Sequence, residues 1–348
     1  MNIQENVPLA PYTTFKVGGP ARYFVEAYSE KEVQQALEFS VSRRLRLFVL
    51  GGGSNLVVSD QGWPGLVIKI SIPGIRSETT NGKMVFHAGA GEDWDGFVAK
   101  TVVAGCAGIE CLSGIPGTTG GTPVQNVGAY GQEVAETITR VRVLALATGK
   151  IFEMSNAECG FSYRTSIFNS TERDRYIVLG TTFALTPGGR PHIEYADLKR
   201  HFAGTSSPPT LAAARDAVRA IRHSKAMLIT SDDEDCRSAG SFFKNPILTS
   251  DEYEALNKII RSMNKQIPTY PAGEGKVKVA AAWLVENAGF YKGYSRGPVG
   301  ISRKHSLAIV NRGGAKATDI VALKNEVQQG VKQKFGVELH PEPVFVGF

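Results

Sequence analysis

Gly114-Ile-Pro-Gly-Thr-Thr-Gly-Gly-Thr-Pro-Val-Gln-Asn-Val-Gly-Ala-Tyr-Gly131 is the stretch from which the fold is read. It sets six glycines and two prolines among hydroxyls and amides, with no lysine, arginine or carboxylate inside. Glycine reaches positive φ and lets a backbone approach another molecule closely, although ordering it costs entropy. A simple turn does not need so many. A backbone that wraps a phosphate, offering N–H groups and hydroxyls, does.

A second such element lies upstream. The apolar run Leu45–Leu50 ends in Gly51-Gly-Gly-Ser-Asn55, and Leu56-Val-Val58 follows. Strand, glycine loop and small polar residues again suit a pyrophosphate held by main-chain amides. Neither loop continues into Gly-Lys-Ser/Thr, so the lysine and magnesium-binding hydroxyl of a Walker loop are missing. Gly89-Ala-Gly91 runs on into Glu92-Asp93-Trp94 and fails at the third glycine of a Gly-x-Gly-x-x-Gly fingerprint. For each loop alone a turn-rich structural reading stays open. Two of them, each following an apolar segment, point to one extended dinucleotide.

The chain has 348 residues, beyond the size at which a single core stops growing, so several domains are expected. A content of 42% hydrophobic and 21% charged residues is that of a soluble globular protein. The net charge of +6 comes without a basic run, and the densest cluster is acidic, Asp232-Asp-Glu-Asp235. A nucleic-acid binder shows a basic stripe with interleaved aromatics, so no nucleic-acid partner is expected. The mild excess fits a small anionic ligand, as it also fits ordinary surface variation. Cys106, Cys111, Cys159 and Cys236 form no Cys-x-x-Cys pair and have no clustered histidines. Neither a metal site nor a disulfide framework is indicated; idle thiols in a reducing cytoplasm are. Met1-Asn-Ile-Gln-Glu5 lacks a basic start and an apolar stretch, and no apolar run approaches a membrane span. A cytoplasmic protein without membrane contact is expected, and the Asn169-Ser-Thr171 sequon is then chance.

Ser29-Glu-Lys-Glu32 reads as a capping box before a helix with Val33, Ala36, Leu37 and Val41 at helical spacing. Strands Leu45–Leu50 and Leu66–Ile70 complete a β-α-β first lobe. Strand Met84–Ala88 leads to a helix with Trp94, Phe97, Val98 and Val102 on one face, closed near Gly105. Val141–Ala147 and Lys150–Met154 form a hairpin at Thr148-Gly149, and Tyr176–Leu185 is a further strand. Prolines and glycines mark 186–209 as a loop. Helices follow over Leu211–His223, Asp251–Met263, Val279–Ala288 (stopped by Gly289) and Asp319–Phe335 (capped by Thr318, ended by Gly336), with a strand at Leu307–Asn311. The last piece, Val337–Phe348, is too short to stand alone and pairs with an earlier sheet.

Several segments, taken together and in order, carry a resemblance. Gly51-Gly-Gly-Ser-Asn55, Gly114-Ile-Pro-Gly117, Gln125-Asn-Val-Gly-Ala-Tyr-Gly131, Tyr163-Arg-Thr-Ser166, Gly240-Ser-Phe-Phe-Lys-Asn-Pro246 and His340-Pro-Glu342 resemble the UDP-N-acetylenolpyruvoylglucosamine reductase family. With Pro11-Tyr-Thr-Thr-Phe15 the match covers nearly the whole chain. The resemblance implies an α+β chain: a two-lobed FAD-binding domain of the vanillyl-alcohol-oxidase (PCMH) type plus a C-terminal α/β substrate-binding domain. Residues 1–71 would form the first flavin lobe, completed by 337–348, residues 72–210 the second lobe, and 211–336 the substrate domain. It also implies noncovalent FAD, NADPH as reductant and a monomer. The substrate would be the enolpyruvyl ether of UDP-N-acetylglucosamine, reduced to UDP-N-acetylmuramate for peptidoglycan.

The resemblance assigns FAD to Gly51, Gly52, Gly53, Ser54, Asn55, Gly117, Thr118, Thr119, Gly121, Gln125, Asn126, Gly128 and Ala129. In the family's reaction a hydride passes from NADPH to FAD and on to the enolpyruvyl carbon, so negative charge builds at the adjoining carbon and its carboxylate. The matching residues are Arg164, whose guanidinium can fork onto that carboxylate at any pH, and Ser241, the proton donor, with Lys244 near enough in sequence to assist. Glu342, held extended between Pro341 and Pro343, would hydrogen-bond the enolate with its carboxyl kept protonated by burial. Tyr195, in the 186–209 loop of the longer subtype, would fold over the nucleotide. Tyr130, Arg222, Lys225, Asn245 and Lys292 are candidates for the sugar diphosphate, and His305 for the substrate. Each has a plain structural alternative: a surface arginine, a turn serine before core phenylalanines, an exposed carboxylate, a loop anchor. Two other functions remain open at this point: a sugar or lactone oxidase on the same flavin fold, and a silent nucleotide-sugar binder. Related oxidases often attach FAD through a histidine in the first glycine loop, and positions 51–55 hold none.

Overall fold

The computed structural model describes residues 1–205, 207–231 and 233–348. They form two compact units: Met1–Val7, Ala21–Gly53 and Trp63–Leu228 in the first, Pro8–Pro20, Ser54–Gly62 and Ile229–Phe348 in the second.

The first unit is built on two sheets. One runs in the order Gln4–Pro8, Pro20–Ala27, Trp63–Ile70, Leu47–Leu50, with Trp63–Ile70 parallel to both Pro20–Ala27 and Leu47–Leu50. A parallel return needs a crossover, and helix Glu30–Ser42 supplies it. Ser29 Oγ accepts the Glu32 N–H (3.3 Å), while Glu32 accepts the Tyr28 N–H (2.7 Å). Val33 and Ala36 are buried as their spacing predicts, whereas Val41 is 66% exposed, because the helix is covered only along a narrow stripe. The other sheet is antiparallel, in the order Ile151–Ser155, Ile138–Ala145, Tyr176–Pro187, Lys83–Gly89, Ile75–Thr80. Helix Trp94–Val103, capped by Asp93 on the Gly96 N–H (2.7 Å), lays Trp94, Phe97 and Val98 into the core. Phe97 and Phe183 are 5.0 Å apart between ring centroids. Burying each stabilises the unit by about 1.5–3 kcal/mol. One apolar core serves both sheets.

The second unit gathers short pieces. Strands Ile247–Thr249, Lys276–Val279 and Thr269–Pro271 form one small sheet, and Ser295–Arg296, Val299–Ile301 and Ile309–Asn311 another. Helices Ser250–Ser262 and Ala317–Phe335 pack on them, and helix Ala281–Asn287 packs against Ala317–Phe335. The C-terminal strand Val344–Val346 does pair with an earlier piece, lying parallel to Leu56–Val58. The core takes Phe15, Val17 and Val57 from the early segments and Leu284, Leu323, Val327 and Phe335 from the late ones.

Four details differ from expectation. The 186–209 stretch contains a helix, Ala196–His201, with Tyr195 at its N-cap; the proline content hid a turn that needs only Leu198 buried. Val279 ends a strand instead of opening a helix, since its neighbours pair with Ile247–Thr249. Thr318 lies inside its helix: the cap is Lys316, and Asp60 accepts the N–H groups of Ala317 (2.7 Å) and Thr318 (3.0 Å). Helix Leu211–Ser224 packs against the turn Glu110–Leu112 and so belongs with the first compact unit, which closes after Leu228 rather than at 210.

Candidate cofactor and substrate site

The two glycine loops touch. A Cβ on Gly52 would stand 2.5 Å from Gly117 Cα, and one on Gly51 would stand 3.2 Å from Thr118 Oγ1. Main chain presses on main chain there, which only glycine permits. Thr119 Oγ1 donates to Gly89 O (2.5 Å), and the N–H groups of Thr119, Gly120 and Gly121 bond Glu92 O, Ala90 O and Thr118 O. Those amides therefore fold the loop onto its sheet instead of facing outward. Thr118 Oγ1 is buried and has no partner among the described residues. An orphaned hydroxyl between two abutting glycine loops fits a pyrophosphate-bearing cofactor.

Further along, Asn126 is buried and its side chain is used up inside the loop. Its amide donates to Glu133 Oε2 (2.8 Å) and Ser162 O (3.0 Å), and its oxygen accepts the Ala135 N–H (3.1 Å). It shapes the loop that carries Gln125, Gly128 and Ala129. Gly128 faces Arg164: Arg164 Nη2 donates to Gly128 O at 2.6 Å, and a Cβ on Gly128 would come 3.0 Å from Nη1. Arg164 sits at φ +54° in a tight turn closed by Ser162 and Thr165. Arginine is unusual there, so surroundings must hold it. Asn169 does, donating to Arg164 O (3.1 Å) and accepting the Ser166 N–H (3.0 Å). The sequon asparagine is thus a scaffold residue.

Four expected substrate residues meet in the first unit. Tyr130 (8% exposed) and Tyr195 (42% exposed) pack edge to face, 5.3 Å between centroids. Lys225 Nζ lies 6.0 Å from the Tyr130 ring and bonds Asp197 Oδ2 at 2.6 Å. Arg222 is buried, with Nε on Gly114 O (3.1 Å) and Nη2 on Met227 O (2.8 Å). Burial pulls its pKa down, against the pull of Tyr130 and Asp95. Burial likewise pushes the Tyr130 hydroxyl up, opposed by Arg222 and Lys225. Tyr130 is therefore a neutral hydrogen-bonding phenol beside two cations, a surface suited to a phosphorylated nucleotide.

Asp95 organises this cluster, and nothing in the sequence pattern marks it. Its oxygens take the Gly114 N–H (2.6 Å), both Arg215 nitrogens (2.6 and 3.0 Å) and Arg219. Burial disfavours its charge, yet Arg215, the Gly114 N–H and Arg219 together hold its carboxyl below the ordinary aspartate range.

The second unit holds Ser54, Asn55, Ser241, Asn245, Lys292, His305 and Glu342. Phe242 and Phe243 are core, as expected. The backbone after Ser241 pairs with the chain end: Glu342 N–H bonds Phe242 O (2.8 Å) and Lys244 N–H bonds His340 O (3.0 Å). Asn55 donates to Glu342 O (3.2 Å) while its own carbonyl accepts the Val344 N–H (2.9 Å). Ser241 and Glu342 thus sit on neighbouring paired segments, with the Glu342 backbone pinned on both sides. Asn245 Oδ1 accepts the Ala281 N–H (2.9 Å) at the start of a helix, and Lys292 is exposed. His305 Nδ1 accepts the Leu307 N–H (3.1 Å), which leaves the proton on Nε2. In the acidic cluster Asp232 lies outside the described residues, and Asp233 bonds Lys304 (2.6 Å). Asp235 is buried and takes the Arg303 N–H (2.7 Å).

Among the described residues no His, Cys, Asp and Glu group is arranged to hold a metal, and no helix is long and apolar enough to cross a membrane. All four cysteines are buried free thiols; burial, with Glu158 beside it, pushes Cys159 up to about 12.

A parallel sheet and an antiparallel sheet on one core, each offering a glycine loop to the other, define an FAD-binding domain of the two-lobed PCMH type joined to a second α+β unit. Residues 21–155 match a family model described as FAD binding domain, and 231–346 one described as UDP-N-acetylenolpyruvoylglucosamine reductase, C-terminal domain. A Thermobifida fusca protein named UDP-N-acetylenolpyruvoylglucosamine reductase is 47% identical over 98% of this chain and 97% of its own. One of the same name from Mycobacterium tuberculosis is 43% identical over 99% and 96%. The crystal structure of the Thermus caldophilus reductase superposes with a TM-score of 0.67 at 25% identity, covering 99% of both chains. The chain belongs to the UDP-N-acetylenolpyruvoylglucosamine reductase family.

Proposed function

We propose that this chain is the NADPH-dependent flavoenzyme that reduces the enolpyruvyl ether of UDP-N-acetylglucosamine to UDP-N-acetylmuramate, a peptidoglycan precursor, as a cytoplasmic monomer. The observation that carries the reading is the abutment of the two glycine loops around the orphaned Thr118 hydroxyl. Gly51, Gly52, Gly53, Ser54, Asn55, Gly117, Thr118 and the loop through Ala129 would hold FAD noncovalently. Bound FAD supplies the hydride chemistry, accepting from NADPH and donating to the terminal enolpyruvyl carbon.

The rest falls to side chains. Charge develops at the adjoining carbon and its carboxylate, so a fixed cation there stabilises the transition state. Arg164, oriented by the Gly128 carbonyl, supplies the fork. Ser241 delivers the proton to that carbon, and Glu342, on the paired segment, hydrogen-bonds the enolate. Tyr130, Tyr195, Arg222, Lys225, Asn245, Lys292 and His305 bind the sugar nucleotide. In functional terms 1–71 with 337–348 and 72–210 serve the flavin and 211–336 the substrate; helix Leu211–Ser224 packs with the flavin lobes yet carries Arg222 to the nucleotide. Full-length likeness to reductases favours this reading over a sugar or lactone oxidase.

Anaerobic two-stage kinetics test it. Wild-type protein is expected to show a flavin spectrum, to be bleached by NADPH and to be reoxidised by the enolpyruvyl sugar nucleotide. Ser241→Ala is expected to keep the first stage and slow the second by about 10²-fold or more. A colourless protein that refuses FAD, or equal loss in both stages, defeats the assignment.

A further inference from the structure

Glu110 has no exposed surface, yet it carries a carboxylate. It lies in the turn Glu110–Leu112, just before the long glycine loop. Oε2 accepts the Gly108 N–H at 2.8 Å. Oε1 accepts both the Gln132 amide, at 3.0 Å, and the His192 N–H, at 2.8 Å. Gln132 returns the connection by accepting the Cys111 N–H at 2.8 Å, and Cys111 Sγ donates to His192 O at 3.1 Å. His192 is thereby gripped at both its N–H and its carbonyl. The ring of contacts ties together the turn Glu110–Leu112 before the glycine loop, Gln132 just after it and the entry to the segment that bears Tyr195.

A buried carboxylate is expensive to desolvate and is retained only where several donors converge on it. Here the donors come from three separate segments, which an apolar residue of the same size could not gather. Tyr195 itself rests edge to face on Tyr130, near the end of the same glycine loop. His192 also reaches that loop's last residue, since a Cβ on Gly131 would come 2.9 Å from His192 Nε2.

We propose that Glu110 is a positioning residue. It fixes His192 to the glycine loop, so that the segment from His192 to Tyr195 is held ready over the nucleotide site; this rests on the assignment of Tyr195 to substrate. Glu110 acts through the backbone it anchors, its oxygens being taken by Gly108, Gln132 and His192.

In the FAD-loaded protein, Glu110→Gln places an N–H₂ against one of the N–H donors. It is expected to raise KM for the enolpyruvyl sugar nucleotide about tenfold, with flavin reduction by NADPH unchanged. Trypsin should cut faster at the exposed Lys199 and Arg200. Tyr195→Ala should raise KM as well, and the double variant should be no worse than the weaker single one. A folded Glu110→Gln protein with unchanged KM and unchanged cleavage, or effects that multiply in the double variant, overturns the proposal. Should Glu110→Gln not fold, Cys111→Ala, which frees the His192 carbonyl and removes the longer Sγ contact to Glu110 Oε1 (4.0 Å) while leaving the His192 N–H bonded, decides: faster cleavage with a smaller KM rise supports the anchor, and no change in either overturns it. If Tyr195→Ala alone leaves KM unchanged, the substrate role of Tyr195 fails, and the cleavage rates still judge the anchor by themselves.

Discussion

Arg222, proposed to meet the nucleotide, is first of all committed to the architecture. Its guanidinium bonds the carbonyls of Gly114 and Met227, and it is 6% exposed. Arg222→Met keeps the bulk but strands two carbonyls. We expect a loss of about 2–4 kcal/mol in urea unfolding, plus weaker nucleotide binding; an unchanged midpoint would mean that the bonds carry no weight. Asp95 makes a pH-dependent prediction. Its carboxyl is held below the ordinary aspartate value of 3.8 despite burial, by Arg215, the Gly114 N–H and Arg219. A depressed carboxyl contributes stability in full above that value and loses it as pH falls through the folded one. Asp95→Asn should therefore unfold at lower urea than wild type at about pH 7, and the gap should narrow progressively as pH falls below 3.8. A constant gap would point to packing instead of charge.

At the level of elements, close approach decides the glycines. Gly52→Ala would drive a methyl onto the Gly117 backbone, so the loops must part; we expect purified protein with little bound flavin and about 1–3 kcal/mol less stability. Retention of full flavin absorbance would show that the loops yield easily. Gly330, inside helix Ala317–Phe335, poses a sharper contest. Alanine gains about 1 kcal/mol of helix propensity, but its Cβ would come 2.6 Å from Phe290 Cε2 in a buried ring. Overpacking wins, so Gly330→Ala should lower the melting temperature. Elements with strong local signals were legible in the sequence: the Ser29 cap, the Trp94–Phe97–Val98 face, the hairpin at Thr148-Gly149 and the two glycine loops. Strand Ile75–Thr80 was not, because an almost wholly exposed edge strand carries no apolar alternation. Helix Ala196–His201 hid behind prolines. Of the candidate site, the glycine loops and the paired segments of Ser241 and Glu342 were visible as motifs. Asp95 and Glu110 were not: each is a lone carboxylate whose partners lie far along the chain, and only the fold collects them.

Across the molecule, the second unit cannot be cut out along the chain. Phe15, Val17 and Val57 are completely or almost completely buried in its core. The fragment Ile229–Phe348 would leave the surface they cover facing water. At about 1.5–3 kcal/mol for each buried side chain, we expect that fragment to be unfolded or aggregated by circular dichroism and gel filtration. A folded, monomeric fragment would refute this.

The parallel pairing of Leu56–Val58 with Val344–Val346 also imposes a timetable on biosynthesis. Asn55 must wait for a partner made 289 residues later (344 minus 55). With translation at roughly 5–20 residues per second, that interval is about 15–60 s. Phe15, Val17 and Val57 spend that interval without the core that later buries them, so the early nascent chain is a stretch exposed to off-pathway association.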